Sequence, residues 1–461
     1  MTEVSQEIEQ FRKRVFEIAE AVADVGAEAI RSNRSPEEED SEFLEVQEEL
    51  EEAVAQLEAT AEAEVLKSYD IEAPYVRYEG RLYRKVAEPS SHAYAMMRGK
   101  RSVERHLYRE VGVHNGPTIC PLELRAGIVE GTWSPKAAKV MAEYGQELPS
   151  RAASRLSSAA GVVPYSHASF TRVPKQLGKQ WEANRQSFED ATVCRSIPED
   201  TASVSVAVDR VSLPMKSDDG VNYKMAWCGT VTLHDEEGEP LETRRVGMCD
   251  DREEAFRRRL KSEVEAVFEH CGEDVPLVAL SDGETYLCEM LDEDYEVEAR
   301  RIDFWHVIEK LGAALRVFCA SRSTTRGPEE TLKRWKLKLL NEDDAIEAIE
   351  RAIRRWGAED LQVGQNRPVH AALTYIENHR EQMKYASLRD QGLPIGSGQV
   401  EATCKQLVQM RMKRNGQRWR YPGAQAILDL RSLALSDYWE RGLGLILDEY
   451  RSSVTPTYAV S

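Results

Sequence analysis

Ser203-Val-Ser-Val-Ala-Val-Asp209 alternates small and branched residues and ends in an acid. A period of two is the mark of a strand. Residues 223–234 and 243–249 are two further β-type runs, parted by the turn-forming Asp235-Glu-Glu-Gly-Glu-Pro240. Glu253–Cys271 follows with helical spacing, placing Phe256, Leu260, Val264 and Val267 on one face. Residues 275–280 form a short unbroken apolar run, as in a strand buried on both sides, and lead into Ser281-Asp282-Gly283. Residues 295–302 are another strand candidate, ending at Asp303, and a helix is expected from Phe304.

Three antiparallel strands, a helix and two more strand units give the order of an RNase H-like α/β core, a mixed sheet with flanking helices. Residues 326–390 are helical, highly charged and without strand signal. They read as a helical insertion into that core. Leu393-Pro-Ile-Gly-Ser-Gly398 is a loop. The helix beginning near Gln399 lines one face with Val400, Cys404, Leu407, Val408 and Met412. The expected parts are an acidic helical or coiled-coil extension (1–70), a DNA-binding region (71–195), the first part of the core (196–309), the insertion (310–392) and the last part of the core (393–461).

Upstream the chain is mainly helical. Ile8, Phe11, Val15, Ile18, Val22 and Val25 form one apolar stripe over 5–31, and Phe43, Val46, Leu50, Ala53 and Leu57 form another over 40–68. The pair suits a helical hairpin or a coiled-coil dimer arm; a solvated extension is the plainer alternative. Strands are expected on either side of Glu79-Gly80. A helix starts at Cys120-Pro121. Ser150 stands at an N-cap position, Gly161 ends the next helix and Ser166 caps another. Helix, turn, helix over 150–180 is a DNA-binding outline, with Arg172, Lys175 and Lys179 as phosphate contacts and Pro174 interrupting or restarting the second helix. A plain helical hairpin is the alternative.

The 461 residues are enough for two or three domains, and 41% are hydrophobic. The charge of −19 is segregated: residues 35–66 carry thirteen acids and no base, whereas 405–420 carry six bases and no acid. Average charge therefore does not exclude a nucleic-acid partner. The eight cysteines form no Cys-x-x-Cys pair, so no zinc ribbon is expected. No apolar run is long enough for a membrane span, and Met1-Thr-Glu-Val lacks a signal-peptide pattern. A cytoplasmic, nucleoid-associated protein with reduced thiols is the expectation.

Asp209, Asp282 and Glu401 are the candidate catalytic and metal-binding residues. Phosphodiester chemistry needs an activated oxygen nucleophile, a stabilised leaving oxygen and charge neutralisation at phosphorus. Two divalent ions roughly 3.5–4 Å apart supply all three, and carboxylates hold such hard cations. Neighbouring first and fourth strands bring Asp209 and Asp282 together, and Glu401 in a helical first turn swings against the same edge. Asp303 N-caps its helix, and His306, three residues on, packs there or supports the active site. Lys405, Arg411, Lys413, Arg414 and Arg418 are expected to contact phosphate. Trp419 is a stacking surface for a base or a buried side chain; Trp335, Trp356 and Trp439 read as core.

The segment Pro394-Ile-Gly-Ser-Gly-Gln-Val-Glu401-Ala-Thr-Cys404, with Arg411-Met-Lys-Arg414-Asn-Gly416 and Arg418-Trp419, resembles the glutamate region of bacterial insertion-sequence transposases of the ISKra type, DDE enzymes related to the Mutator-like group. Leu280-Ser-Asp282-Gly283 and Ile302-Asp303-Phe-Trp-His306-Val resemble that family's second-aspartate region, and Cys120-Pro-Leu-Glu123 resembles its N-terminal part. The resemblance spans roughly 75–440. It implies metal-dependent cleavage at transposon ends and strand transfer into target DNA. It further implies two Mg2+ or Mn2+ ions on Asp209, Asp282 and Glu401, and a dimer or larger assembly holding two ends. A nuclease on the same fold and a domesticated, binding-only relative are the alternatives. The family usually has Asp-Gly at the first acid. This chain has Asp209-Arg210, a side chain that either crowds the site or contacts phosphate.

Overall fold

The computed structural model describes residues 3–32, 43–86, 88–193, 196–217, 220–271, 274–321, 327–355 and 367–458. Trp356, read above as core, lies outside them. Two compact units divide the chain: residues 1–183 with 441–461, and residues 184–440. Among the described residues no helix is long and apolar enough to cross a membrane.

The first unit opens with α1 (Glu3–Ser32) and α2 (Phe43–Lys67), which pack on each other and are tied by Arg14 to Glu64 at 2.7 Å. The two apolar stripes read from the sequence thus belong to two helices that pack together. Strands β1 (Tyr75–Tyr78), β2 (Arg81–Lys85), β3 (Ser90–Met96), β4 (Gly99–Arg105), β5 (Tyr108–Glu110) and β6 (Thr118–Ile119) come next. Glu79 and Gly80 make the β1–β2 turn with positive φ values of 48° and 74°. Helices α3 (Pro121–Ala126), α4 (Pro135–Glu147), α5 (Ser150–Ala159) and α6 (Ser169–Ala183) complete this part. The cap of α5 differs from the sequence expectation: Pro149 holds the N-cap position and Ser150 is already helical.

Helices α4, α5 and α6 pack on one another. The α5–α6 connection, 160–168, is longer than the three or four residues of a tight helix-turn-helix. Its path is fixed by Val163 N–H donating to Met97 O at 2.7 Å and Tyr165 Oη donating to Met96 O at 2.6 Å. Pro174 neither breaks nor restarts α6. Its ring packs against Gly145 of α4, where a Cβ would approach it to 2.6 Å, so close packing offsets the missing backbone bond.

The second unit begins at α7 (Arg185–Thr192) and is built on a five-stranded mixed sheet. Its strands are β7 (Ser203–Ser217), β8 (Gly220–His234), β9 (Pro240–Cys249), β10 (Leu277–Ser281) and β11 (Ala299–Ile302), in the order β11-β10-β7-β8-β9. Strands β7, β8 and β9 are antiparallel neighbours; β10 and β11 run parallel to β7. Helix α8 (Glu253–Cys271) connects β9 to β10, and α9 (Thr285–Asp294) connects β10 to β11. Alternation sorts the sheet's side chains. Val204, Val206, Val208, Leu277 and Ala279 pack with Phe256 and Leu260 of α8. Ala207, Val278 and Leu280 face the other side, with Val400.

Strand β7 does not end at Asp209, as the sequence alternation had it. Its hairpin partner β8 pairs with it through Ser217, while parallel β10 reaches only to Ala207. The acid marks the end of the parallel pairing, not the end of its own strand. The strand expected over 295–302 is likewise confined to Ala299–Ile302.

After β11 come α10 (Phe304–Ser321), α11 (Pro328–Leu339), α12 (Ala345–Arg355), α13 (Arg367–His379) and α14 (Tyr385–Asp390). They share one core with Ile302, Trp335, Ile349 and Ile376. The glutamate helix follows as α15 (Gly398–Thr403), a π-helical turn (Cys404–Gln409) and α16 (Met410–Met412). Helix α17 (Tyr421–Leu435) packs with it against β7 and β9. Helix α18 (Trp439–Asp448) leads back to the first unit, where β12 (Thr455–Thr457) pairs with β1 in the sheet β12-β1-β2-β5-β6.

Candidate metal centre

Three strand registers meet at one line. Ala207 pairs with Leu280, and Leu280 with Arg301. Asp282 and Asp303 directly follow the last residues of β10 and β11, and Asp209 lies two residues past the last β7 residue paired with β10. By alternation Asp209 shares the face of Ala207 rather than that of Val208. That is the face on which α15 packs. Glu401 lies in the first turn of α15, and Cys404, three residues later, donates its thiol to Asp209 Oδ2 at 3.2 Å.

Asp303, His306 and Glu401 each offer one ligand atom within 4.8 Å of the others. His306 Nδ1 stands 3.7 Å from Glu401 Oε1. Asp209 and Asp282 stand outside that group at this spacing; Asp209 couples by charge to Glu401 and His306, and Asp282 to Asp209. Burial raises the Asp209 pKa above its ordinary value and the charge of Asp282 adds to the rise; the Cys404 thiol and the Arg210 N–H oppose it. Glu401 is also raised, by burial first, then by Asp303 and Asp209, with His306 opposing. Acids crowded in this way are what a divalent cation relieves, so the donor set fits a hard metal ion. Glu401 keeps a side chain 57% exposed, free to move toward such an ion.

Each acid is held locally. Asp209 Oδ1 accepts from Arg210 N–H at 2.6 Å. Asp282 Oδ1 accepts from Glu284 N–H at 2.9 Å, and its carbonyl accepts from Tyr375 Oη at 2.7 Å. Asp303 is buried and accepts from His306 N–H at 2.6 Å, the N-cap bond expected from the sequence. His306 thus has both a place in the first turn and a face toward Glu401.

Arg210 neither crowds the acids nor reaches for solvent. Its side chain leaves the opposite face of β7, pairs with Glu284 and lies over the Trp227 and Tyr286 rings, each 5.3 Å from its Cζ.

The basic residues of the glutamate region divide. Lys405, Lys413, Arg414 and Arg418 are exposed. Arg411 is buried, its guanidinium 5.1 Å from the Trp419 ring centroid. Trp419 is half-buried: it packs on the core beside Val211 and Met412, and its Nε1 donates to Met412 O at 2.9 Å. Trp335 is core and Trp439 is half-buried. In the first unit Arg172, Lys175 and Lys179 are exposed on α6 at helical spacing.

Sequence reasoning missed four contributors. Cys404 and Ser397 lie inside the quoted glutamate motif, where position was the available signal. Tyr375 and His379 lie on α13, with His379 Nε2 3.1 Å from where a Cβ on Gly283 would stand. Nothing local marks them, because their role comes from α13 packing on the Asp282 turn.

No family model matches the chain, and no curated protein matches it. Among solved structures the chain aligns with the Drosophila P element transposase strand transfer complex at 12% identity, over 69% of this chain and 81% of that chain, with a TM-score of 0.26. The site is defined by its own residues.

Proposed function

We propose that this chain is a DDE-type DNA transposase with an RNase H-like core, of the ISKra type its glutamate region resembles. One observation supports the reading: Asp209 accepts from the thiol of Cys404, three residues after Glu401 in the glutamate helix, and feels the charge of Asp282, just past the end of β10. The sheet order β11-β10-β7-β8-β9, with three antiparallel and two parallel strands, supports the core assignment.

Asp209, Asp282 and Glu401 hold two divalent ions, Mg2+ or Mn2+. Bound there, the ions supply an activated oxygen nucleophile and neutralise charge at phosphorus. The chain's own part is placement. Asp209 and Asp282 are fixed by the sheet and its turn, and Glu401 closes from an exposed helical turn. His306, facing Glu401, orients it or a phosphate oxygen. Lys405, Lys413, Arg414 and Arg418 offer exposed cations to the DNA backbone. In the first unit Arg172, Lys175 and Lys179 of α6 bind transposon-end DNA. Two ends must be held together for strand transfer, so the working form is a dimer or larger assembly.

The test is an assay on a supercoiled plasmid carrying the gene with its flanking DNA, in Mg2+ or Mn2+. Cutting at the element ends followed by joined products is expected, and Asp282→Asn abolishes both while DNA binding persists. Undiminished cutting by that variant sinks the site. Cutting without joined products makes the chain a nuclease.

A further inference from the structure

Beside Asp209, Asp282 and Glu401 stands a fourth acid, Asp303, which lies at ligand spacing from His306 and Glu401. Its hydrogen bonds assign it another task. One carboxylate oxygen, Oδ2, accepts from both the backbone N–H and the hydroxyl of Ser397, the hydroxyl at 2.8 Å. The other accepts from His306 N–H. Three of roughly four acceptor positions are thereby filled inside the protein. Asp303 is 1% exposed and Ser397 4%, so water does not compete for these bonds.

Ser397 is the residue from which the glutamate helix springs. Its carbonyl accepts from Val400 N–H at 2.9 Å and Glu401 N–H at 3.3 Å. The neighbouring residues are stitched in the same order. Phe304 N–H donates to Ile395 O at 3.0 Å, and Gly396 lies so close to Trp305 that a Cβ would stand 3.2 Å from the ring. Residues 395–397 are thus fastened to 303–305 at three successive positions.

We infer that Asp303 is a positioning residue: it clamps Ser397 and so sets where Glu401 meets Asp209 and Asp282, without itself binding the ion. The inference rests on the metal-site reading above. It also explains why Gly396 and Ser397 precede the glutamate. A side chain at 396 would crowd Trp305, and residue 397 supplies a second donor to one oxygen.

Asp303→Asn, Ser397→Ala and the double variant test this with two readouts on the full chain. The first is hydrogen exchange of the backbone amides over 395–405. The second is the Mn2+ concentration giving half-maximal cleavage, with Mn2+ binding followed by electron paramagnetic resonance. Asp303→Asn is expected to speed the exchange and to raise the half-maximal concentration about 10- to 100-fold, the usual effect of removing a group that supports a ligand. Ser397→Ala moves both in the same direction by less, and the double variant is no worse than Asp303→Asn. Two results overturn the inference: exchange unchanged in both single variants, or Mn2+ binding lost in Asp303→Asn with exchange as in the parent. If the parent neither binds Mn2+ nor cleaves, the transposase reading fails, and faster exchange in both variants still establishes the clamp.

Discussion

The Cys404 thiol donates to Asp209 Oδ2 at 3.2 Å, joining the first acid of the site to the helix that carries the last. Cys404 is 3% exposed, and its neighbour Cys228 together with burial holds the thiol protonated. It therefore acts as a donor. Cys404→Ala is expected to slow cleavage about tenfold at saturating metal, in line with loss of a ligand-orienting bond. Cys404→Ser keeps a donor and most of the rate. Single-turnover rates for the two variants decide this; equal losses would make the contact a matter of packing alone.

Asp209 is raised by burial first, with the charge of Asp282 adding to it. The folded chain therefore holds this proton more tightly than the unfolded chain. Ionised Asp209 opposes folding at neutral pH, and the penalty disappears as pH falls through the raised value. Asp209→Asn is expected to raise the metal-free Tm at pH 7 and to change it little at pH 4. Mg2+ should stabilise the parent more than the variant, because binding to the folded state alone shifts the equilibrium. Thermal melts with and without Mg2+ at both pH values are the measurement. A lower metal-free Tm for the variant at pH 7 would falsify the electrostatic account.

Arg210 replaces the glycine usual in the family that this chain resembles, and its guanidinium packs over Trp227 and Tyr286. Arg210→Gly should destabilise the fold by about 1–2 kcal/mol by removing the stacking and the packing of the arginine stem. It should not raise the cleavage rate. A faster variant would mean that the arginine does obstruct the acids.

Gly283 has φ +88° and sits where a Cβ would meet Tyr375 at 2.9 Å and His379 Nε2 at 3.1 Å. Gly283→Ala combines backbone strain with a clash against α13 and displaces the Asp282 turn, at about 1–3 kcal/mol. Weaker Mn2+ binding in a titration is the expected result. Tyr375→Phe, which removes only the bond to the Asp282 carbonyl, should weaken it less.

Arg172, Lys175 and Lys179 lie on one exposed face of α6. Each replaced by Gln should reduce the slope of log K against log salt by roughly 0.9 for every phosphate that is no longer neutralised. Binding isotherms on end-containing duplex at several salt concentrations measure it. An unchanged slope in the triple variant would place the DNA-binding surface elsewhere.

The glutamate region was legible because its information is local. Val400, Cys404, Leu407, Val408 and Met412 make one apolar stripe, and all five are buried. The bounds of α8 were read to the residue, since Phe256, Leu260, Val264 and Val267 repeat without interruption. Strand ends were read less well. Alternation over 203–209 shows that a strand exists but not where its partners stop, and Asp209 proved to lie mid-strand. Arg411 looked like its basic neighbours in the sequence. In the fold it is buried against Trp419, whereas Arg414 is exposed.

The sequence by itself determined the periodicities: where the main strands and helices lie, which face of each is apolar, and that acids stand at two strand ends and one helix start. These follow from near-neighbour geometry, which a chain carries wherever it goes. Tertiary structure decided the rest. The parallel pairing of β7, β10 and β11 brought Asp209, Asp282 and Asp303 to the same end of the sheet. The packing of residues 395–397 on 303–305 separated the acid that clamps from the acid that is free to move. The pairing of Ala207 with Leu280 spans 280 − 207 = 73 positions and the bond of Ser397 to Asp303 spans 397 − 303 = 94, separations for which no local pattern exists.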